Sequence, residues 1–213
     1  MKNEILTSVS NQFQDSVIYS SCVFQLSDGP ILGGVYVDVR PNSIALGMTS
    51  FALYTPLISE HFGYQSPFFR GEGRSSPNSI PRAGIREELI DTAVGVLTQE
   101  FKNVERAASP SHVAELLDHE KTSFEWQGQK FPAKPKSLNP VSRLVYLGAL
   151  ILSNKLQKAE SFIKLVHQGS FVSTDVDYQE FNGLTDALEN STSNAIELID
   201  RWSKAGYERI QNR

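Results

Sequence analysis

Cysteine is nearly missing from this chain, with Cys22 standing alone among 213 residues. A single thiol excludes an internal disulfide framework and every metal site built on several cysteines, and it fits a reducing compartment. Its neighbours, SSCVFQL, are those of a strand, so Cys22 reads as a core thiol.

Long apolar runs are also missing. The longest, LVYLGALIL at 144–152, is far shorter than the roughly 20 residues that cross a bilayer, and Arg143 and Lys155 flank it closely. It predicts a buried helix with apolar neighbours on every side, in which Gly148 permits close approach. Neither does the N-terminal stretch MKNEILTSVSNQFQDS hold the apolar centre of an export signal, because Glu4, Asn11, Gln12 and Asp15 interrupt it. A cytoplasmic location with no membrane contact is the expectation.

An excess of one charge is likewise lacking: 20 basic against 24 acidic side chains leave a formal net charge of -4. Nucleic acid is therefore disfavoured as a partner. No G-x-S-x-G elbow, no H-E-x-x-H helix and no P-loop ending occurs, and His61, His112, His119 and His167 show no positioned nucleophile in sequence. No cofactor is expected.

What is present is a change of period. Ile5, Leu6, Val9 and Phe13 recur at helical spacing, after which SVIYSSCVFQLS, ILGGVYVDV and SIALGMTSFALY alternate with a period near two. These predict a short helix and then three antiparallel strands between about 16 and 54. Further on, Ile85, Leu89, Ala93, Leu97, Phe101 and Val104 form a helical stripe. Pro81 is read as the first helical position, with the helix ending near Glu105. Ser109-Pro110 and Asn139-Pro140 each mark a helix start, and TSFEWQGQKF predicts a hairpin turning at Gln127-Gly128. Leu184, Leu188, Ala195, Ile196, Ile199 and Trp202 line the last helical segment, with a break expected at ENSTSN. The fold class expected is α+β, an N-terminal antiparallel β-meander packed against a C-terminal helical layer. It is read as one domain over 1–213, with strands mainly in 1–56, helices mainly in 81–213 and a hairpin near 122–132.

Four stretches invite a chemical reading. FFRGEGRSSPNSIPRAG carries Arg70, Arg74 and Arg82 with Gly71, Gly73 and Gly84, a positive island: residues 70–82 hold three basic and one acidic side chain. Backbone N–H groups and the start of the next helix would add to the arginines in holding a phosphate or carboxylate. The spacing matches neither a P-loop nor a dinucleotide fingerprint, and a solvated connection is the reading preferred. Lys130, Lys134, Lys136 and Arg143 make a second basic stretch, read as a solubilising surface.

His112, Glu115 and His119 share a helical face, but the histidines would lie about 10 Å apart along the axis, so a solvated face is preferred to a metal. STDVDYQEFNGL resembles the exit half of an EF-hand loop. With Glu180 at its last position, Gly169, Phe171 and Ser173 would stand where carboxylates are needed and Thr174 where glycine is needed. Calcium is not expected, and Asp175 and Asp177 are read as helix N-terminal acids. The expectation over the whole chain is that no metal is bound.

Two functions follow. The first is a non-catalytic binding or regulatory protein acting through a protein partner, including an inhibitor or a toxin-neutralising, immunity-type protein. The alternative is an enzyme or sensor for a small anion held by Arg70, Arg74, Arg82 and Gly84.

Overall fold

The computed structural model describes residues 1–55, 68–70, 78–118, 123–126, 129–132, 140–168 and 176–211. Side chains are described for all of these except 68–70, 78, 123–126, 129–132, 140 and 176–178. The fold is α+β, with strands in the first part of the chain and helices dominating the rest. Two compact units divide it, Met1–Phe51 with Phe68–Ser109, and Ala52–Pro67 with Pro110–Arg213. Among the described residues no helix is long and apolar enough to cross a membrane.

The first unit opens with helix α1 (Lys2–Ser10), whose Ile5, Leu6 and Val9 are buried as their spacing predicts. The segment read as one long strand is instead a hairpin, β1 (Ser16–Tyr19) and β2 (Cys22–Gln25), with Tyr19 opposite Cys22. Ser20 makes the turn by taking a φ of 58°, a left-handed backbone that a serine does not advertise in sequence. Strands β3 (Ile31–Val39) and β4 (Ser43–Ala52) follow, joined across 40–42.

The far edge of β4 holds two short strands in succession. β6 (Asn78–Pro81) pairs with Ser43–Leu46 positions, Ser43 facing Pro81 and Leu46 facing Asn78. β5 (Phe68–Arg70) pairs further along, Thr49 facing Arg70 and Phe51 facing Phe68. Both are antiparallel to β4, so the sheet order is β1-β2-β3-β4 with β5 and β6 sharing one edge.

Helix α2 spans Arg86–Phe101, shorter at both ends than its apolar stripe suggests. Pro81 ends β6 and does not begin the helix. A proline lacks the N–H that a central strand needs, and an edge strand tolerates that loss as well as a helix start does. The last apolar position of the stripe, Val104, belongs to a separate turn of helix, α3 (Val104–Ala107).

One face of the sheet carries these helices. Val23, Val35, Val37, Ile44 and Leu46 form a single buried cluster with Ile5, Leu6, Val9, Leu89, Ala93, Leu97, Phe101 and Val104. Glu4 meets Arg86 at 2.6 Å, Gln12 meets Thr98 at 3.1 Å and the Phe13 and Phe101 rings lie 4.3 Å apart, so α1 and α2 run side by side in the same direction. A Cβ on Gly33 would collide with the Val104 carbonyl, which shows how closely α3 lies on β3, and Ser50 fixes it by donating to the Ala107 carbonyl at 2.6 Å. On the opposite face Phe24, Leu32, Tyr36 and Phe51 are buried too. Burial on both faces explains why ILGGVYVDV is almost continuously apolar and does not alternate.

The second unit is built around α5 (Pro140–Leu152), which packs against α4 (Pro110–Leu116), α6 (Leu156–His167), α7 (Val176–Asn190) and α8 (Thr192–Gln211). Both proline-marked starts are where the sequence puts them. Every residue of 144–151 is buried, as the all-round apolar run requires. A Cβ on Gly148 would come within 2.5 Å of the Tyr54 ring, whose hydroxyl donates to the Val145 carbonyl at 2.8 Å. That burial pushes the Tyr54 hydroxyl far above its ordinary pKa. The Leu53 carbonyl lies so close to Gly206 of α8 that a Cβ there would collide with it.

The ends of these helices have local causes. α5 stops where Asn154 takes a φ of 57°, with Lys155 N–H reaching the Leu150 carbonyl at 2.9 Å, the hydrogen-bond pattern of a Schellman motif. α7 and α8 are divided at the expected break, where Ser191 accepts the Asn194 N–H at 3.1 Å as an N-cap. The buried stripe of α8 runs through Ala195, Ile199, Ser203, Gly206 and Ile210. Ile196, which its spacing placed on that stripe, is 37% exposed. The hairpin is present as β7 (Ser123–Trp126) and β8 (Gln129–Pro132), with Trp126 opposite Gln129.

The glycines give opposite expectations. Gly33→Ala drives a methyl into the α3 backbone and should cost about 1–3 kcal/mol. Gly95 sits mid-helix in α2 with no atom within 4 Å of where a methyl would stand, so Gly95→Ala should stabilise by up to about 1 kcal/mol. Urea denaturation with unchanged m-values measures both, and equal signs would refute this account of the glycines.

Candidate functional site

The registers of β5 and β6 fix where the loop arginines begin. Arg70 stands opposite Thr49, and the Arg82 N–H donates to the Asn42 carbonyl at 3.0 Å. At about 3.3 Å per residue, the stretch of β4 edge between Thr49 and Asn42 separates the two backbones by roughly 23 Å. The Arg82 side chain also turns away from Arg70, because Nη1 donates to the Arg40 carbonyl at 3.3 Å in the β3–β4 turn. Arg70 and Arg82 are therefore not brought together. Arg74, Gly71 and Gly73, with the side chain of Arg70, lie outside the described residues.

Gly84 has a φ of 124°, a backbone that L side chains rarely adopt, and no atom lies within 4 Å of its missing Cβ. Its place in the connection is conformational: it lets the chain leave β6 and enter α2 within a few residues.

That entry carries an anomaly. Ile85 is the N-cap of α2, with φ −73° and ψ 135°, and makes no side-chain cap hydrogen bond. Helices favour Ser, Thr, Asp or Asn at this position because a side-chain oxygen satisfies an N–H of the first turn. Isoleucine supplies none, and here its side chain is 59% exposed. Around it, Arg86 pairs with Glu4 at 2.6 Å and Arg40 with Asp38 at 3.0 Å. Arg82 is exposed and has no carboxylate partner among the described residues. The connection at 82–86 thus presents one apolar side chain and one guanidinium with no carboxylate partner among the described residues.

In the second unit the buried polar groups are ones that spacing and composition did not single out. Asp118, just past α4, has a side chain only 5% exposed and accepts from Lys158 Nζ of α6 at 2.7 Å. Arg143 is buried on α5, so it is no part of a solubilising basic surface. Lys134, Lys136 and the side chain of Lys130 are outside the described residues.

His112 is also buried, which corrects the solvated-face reading. Glu115, three residues on along the same short helix, is exposed, and α4 ends at Leu116, before His119, itself outside the described residues. His167 stacks edge-on to Phe181 at 6.3 Å. Asp177 falls in the first turn of α7, while 169–175, where the calcium-loop comparison placed its first positions, and His61 are outside the described residues. Among the described residues no three His, Cys, Asp or Glu side chains converge as a metal set.

A sequence signal for Ile85 existed in the mismatch between an apolar residue and a cap position. It became readable only once Arg86 was known to be the first helical residue. Asp118 had no such signal, since LLDHE reads as an ordinary helix end.

The two kinds of charged residue should respond differently to truncation. Asp118→Ala leaves the Lys158 ammonium without this carboxylate and should cost about 1–3 kcal/mol, below the usual range for a fully buried pair because Lys158 keeps contact with water. Arg82→Ala should stay within about 0.5 kcal/mol of the parent, and a larger loss would mean that its contact with the Arg40 carbonyl holds the turn. No protein-family model, no curated protein and no solved structure matches this chain.

Proposed function

We propose that this chain is a non-catalytic binding protein that acts by holding a protein partner on the connection at 82–86. The observation that carries this reading is Ile85. Its position departs from a local preference, an apolar residue where a helix favours a polar cap, and its side chain is open to contact. Places where a sequence departs from local preference without gain in stability are where function is most often found. Arg82 beside it supports a partner surface that offers an apolar pocket next to a carboxylate, since arginines and large apolar side chains anchor interfaces. In its narrower form the reading is an inhibitor or an immunity-type protein, in which the partner is an active protein silenced by the contact.

A trade-off tests the proposal. Ile85→Asp supplies the missing cap and a negative charge at the helix start, so it should raise stability by about 0.5–2 kcal/mol. The same change should abolish retention of a stoichiometric partner from the native host, and Arg82→Glu should weaken it at least tenfold. A variant that is stabilised and still retains its partner sinks the assignment to Ile85. If no protein is retained and phosphate or nucleotides raise the melting temperature in an Arg82-dependent or Arg74-dependent way, the small-anion reading replaces this one.

A further inference from the structure

The two edges of the sheet in the first unit are finished differently. The β4 edge is covered by β5 and β6, and those strands carry Arg70 and Pro81, residue types that blunt an edge against pairing with another chain. The opposite edge is β1, Ser16–Tyr19, which has no charge, no proline and, among the described residues, no strand beyond it. Ile18 on it is 42% exposed.

The hydrogen-bonding parity of β1 follows from its register. Tyr19 faces Cys22 across a two-residue turn and Leu26 N–H reaches the Asp15 carbonyl at 2.8 Å, so Val17 and Tyr19 direct their backbone groups toward β2, as the Asp15 carbonyl does. Ser16 and Ile18 alternate with them and direct their N–H and C=O groups outward. No hydrogen bond within the described residues reaches those outward groups.

We propose that β1 is the seam of a symmetric homodimer in which Ser16 and Ile18 of one copy pair antiparallel with Ile18 and Ser16 of a second copy, about a two-fold axis at Val17. This register satisfies all the outward groups of both strands with one another, as an isologous contact requires. It also suits the charge: Ser16–Tyr19 carries no charged side chain, and an antiparallel pairing puts the two Asp15 residues, which precede β1, at opposite ends of the seam, so two chains of the same net sign meet along a neutral strand. Ile18 reaches the other Ile18 diagonally on the face that bears α1, removing part of its exposed surface from water. A four-residue seam is small, so the dimer is weak and appears at high protein concentration. The proposal is independent of the surface at 82–86.

Sedimentation equilibrium up to the millimolar range should show reversible dimerisation. Ile18→Pro removes an outward N–H that β2 does not use, and Ile18→Lys places a charge at the seam; each should raise the dissociation constant at least tenfold with the fold intact by circular dichroism. Ile196→Lys, at an exposed apolar position of α8, should leave it unchanged. Should the proline variant misfold, the lysine variant decides. The register is tested with Val17→Cys in a Cys22→Ala background. Facing residues at such a non-hydrogen-bonded position lie about 4.5 Å apart by Cα, within disulfide range, so oxidation should yield a covalent dimer. Tyr19→Cys in the same background should not crosslink. A chain that stays monomeric to millimolar concentration, a dimer indifferent to both Ile18 variants, or crosslinking at 19 in preference to 17 overturns the proposal.

Discussion

Strand β4 is hydrogen-bonded along both edges, and the placement of every described candidate residue of the arginine loop depends on that pairing. β5 and β6 take up separate stretches of the same edge, with Gly47 and Met48 between them on β4, so Arg70 and Asn78 are each fixed to the sheet at their own place. The chain that looks in sequence like one long connection is anchored on either side. Arg70 and Arg82 become the two ends of a ruler, not two arms of a clamp. The same pairing puts Pro81 on an edge, sets Arg82 against the β3–β4 turn, and leaves only three residues between β6 and the Ile85 cap.

Much of the fold was legible because the period of the apolar residues is a direct consequence of which surfaces must leave water. The helical spacing of Ile5, Leu6 and Val9, the paired Ser109-Pro110 and Asn139-Pro140, the hairpin at 123–132 and the fully apolar 144–152 are each local signals with a local cause. The departures also have physical reasons. Ser20 turns a hairpin with a left-handed backbone that only glycine or asparagine would have announced. Pro81 suits both a helix start and an edge strand, and only the partner strand decides between them. Ser203 and Gly206 complete the buried stripe of α8 although neither is apolar in the usual sense: Ser203 returns its hydroxyl to the Ile199 carbonyl at 2.7 Å, and Gly206 admits the Leu53 backbone.

Glycine shows the limit most clearly. Gly33, Gly84 and Gly95 are identical in sequence, yet one admits a helix backbone, one takes a φ of 124° and one faces open water. An absent side chain carries no record of what fills its place. The arginine loop drew attention by composition, and composition cannot distinguish residues that converge from residues held apart by a strand.

Local preferences are broken at the surface of the first unit in two ways, and the kinds of departure differ. At the helix cap, isoleucine stands where a short polar side chain would stabilise the fold, so stability alone would select against it. At the β1 edge nothing in the monomer is destabilised by Ser16 or Ile18; what is missing there is protection against another strand, which the opposite edge has in Arg70 and Pro81. The first departure costs the isolated chain the stability that a side-chain cap would add. The second costs nothing until two strands meet. A fold that closes one sheet edge with two strands and, among the described residues, leaves the other unpaired and uncharged has distributed its hydrogen-bonding groups asymmetrically.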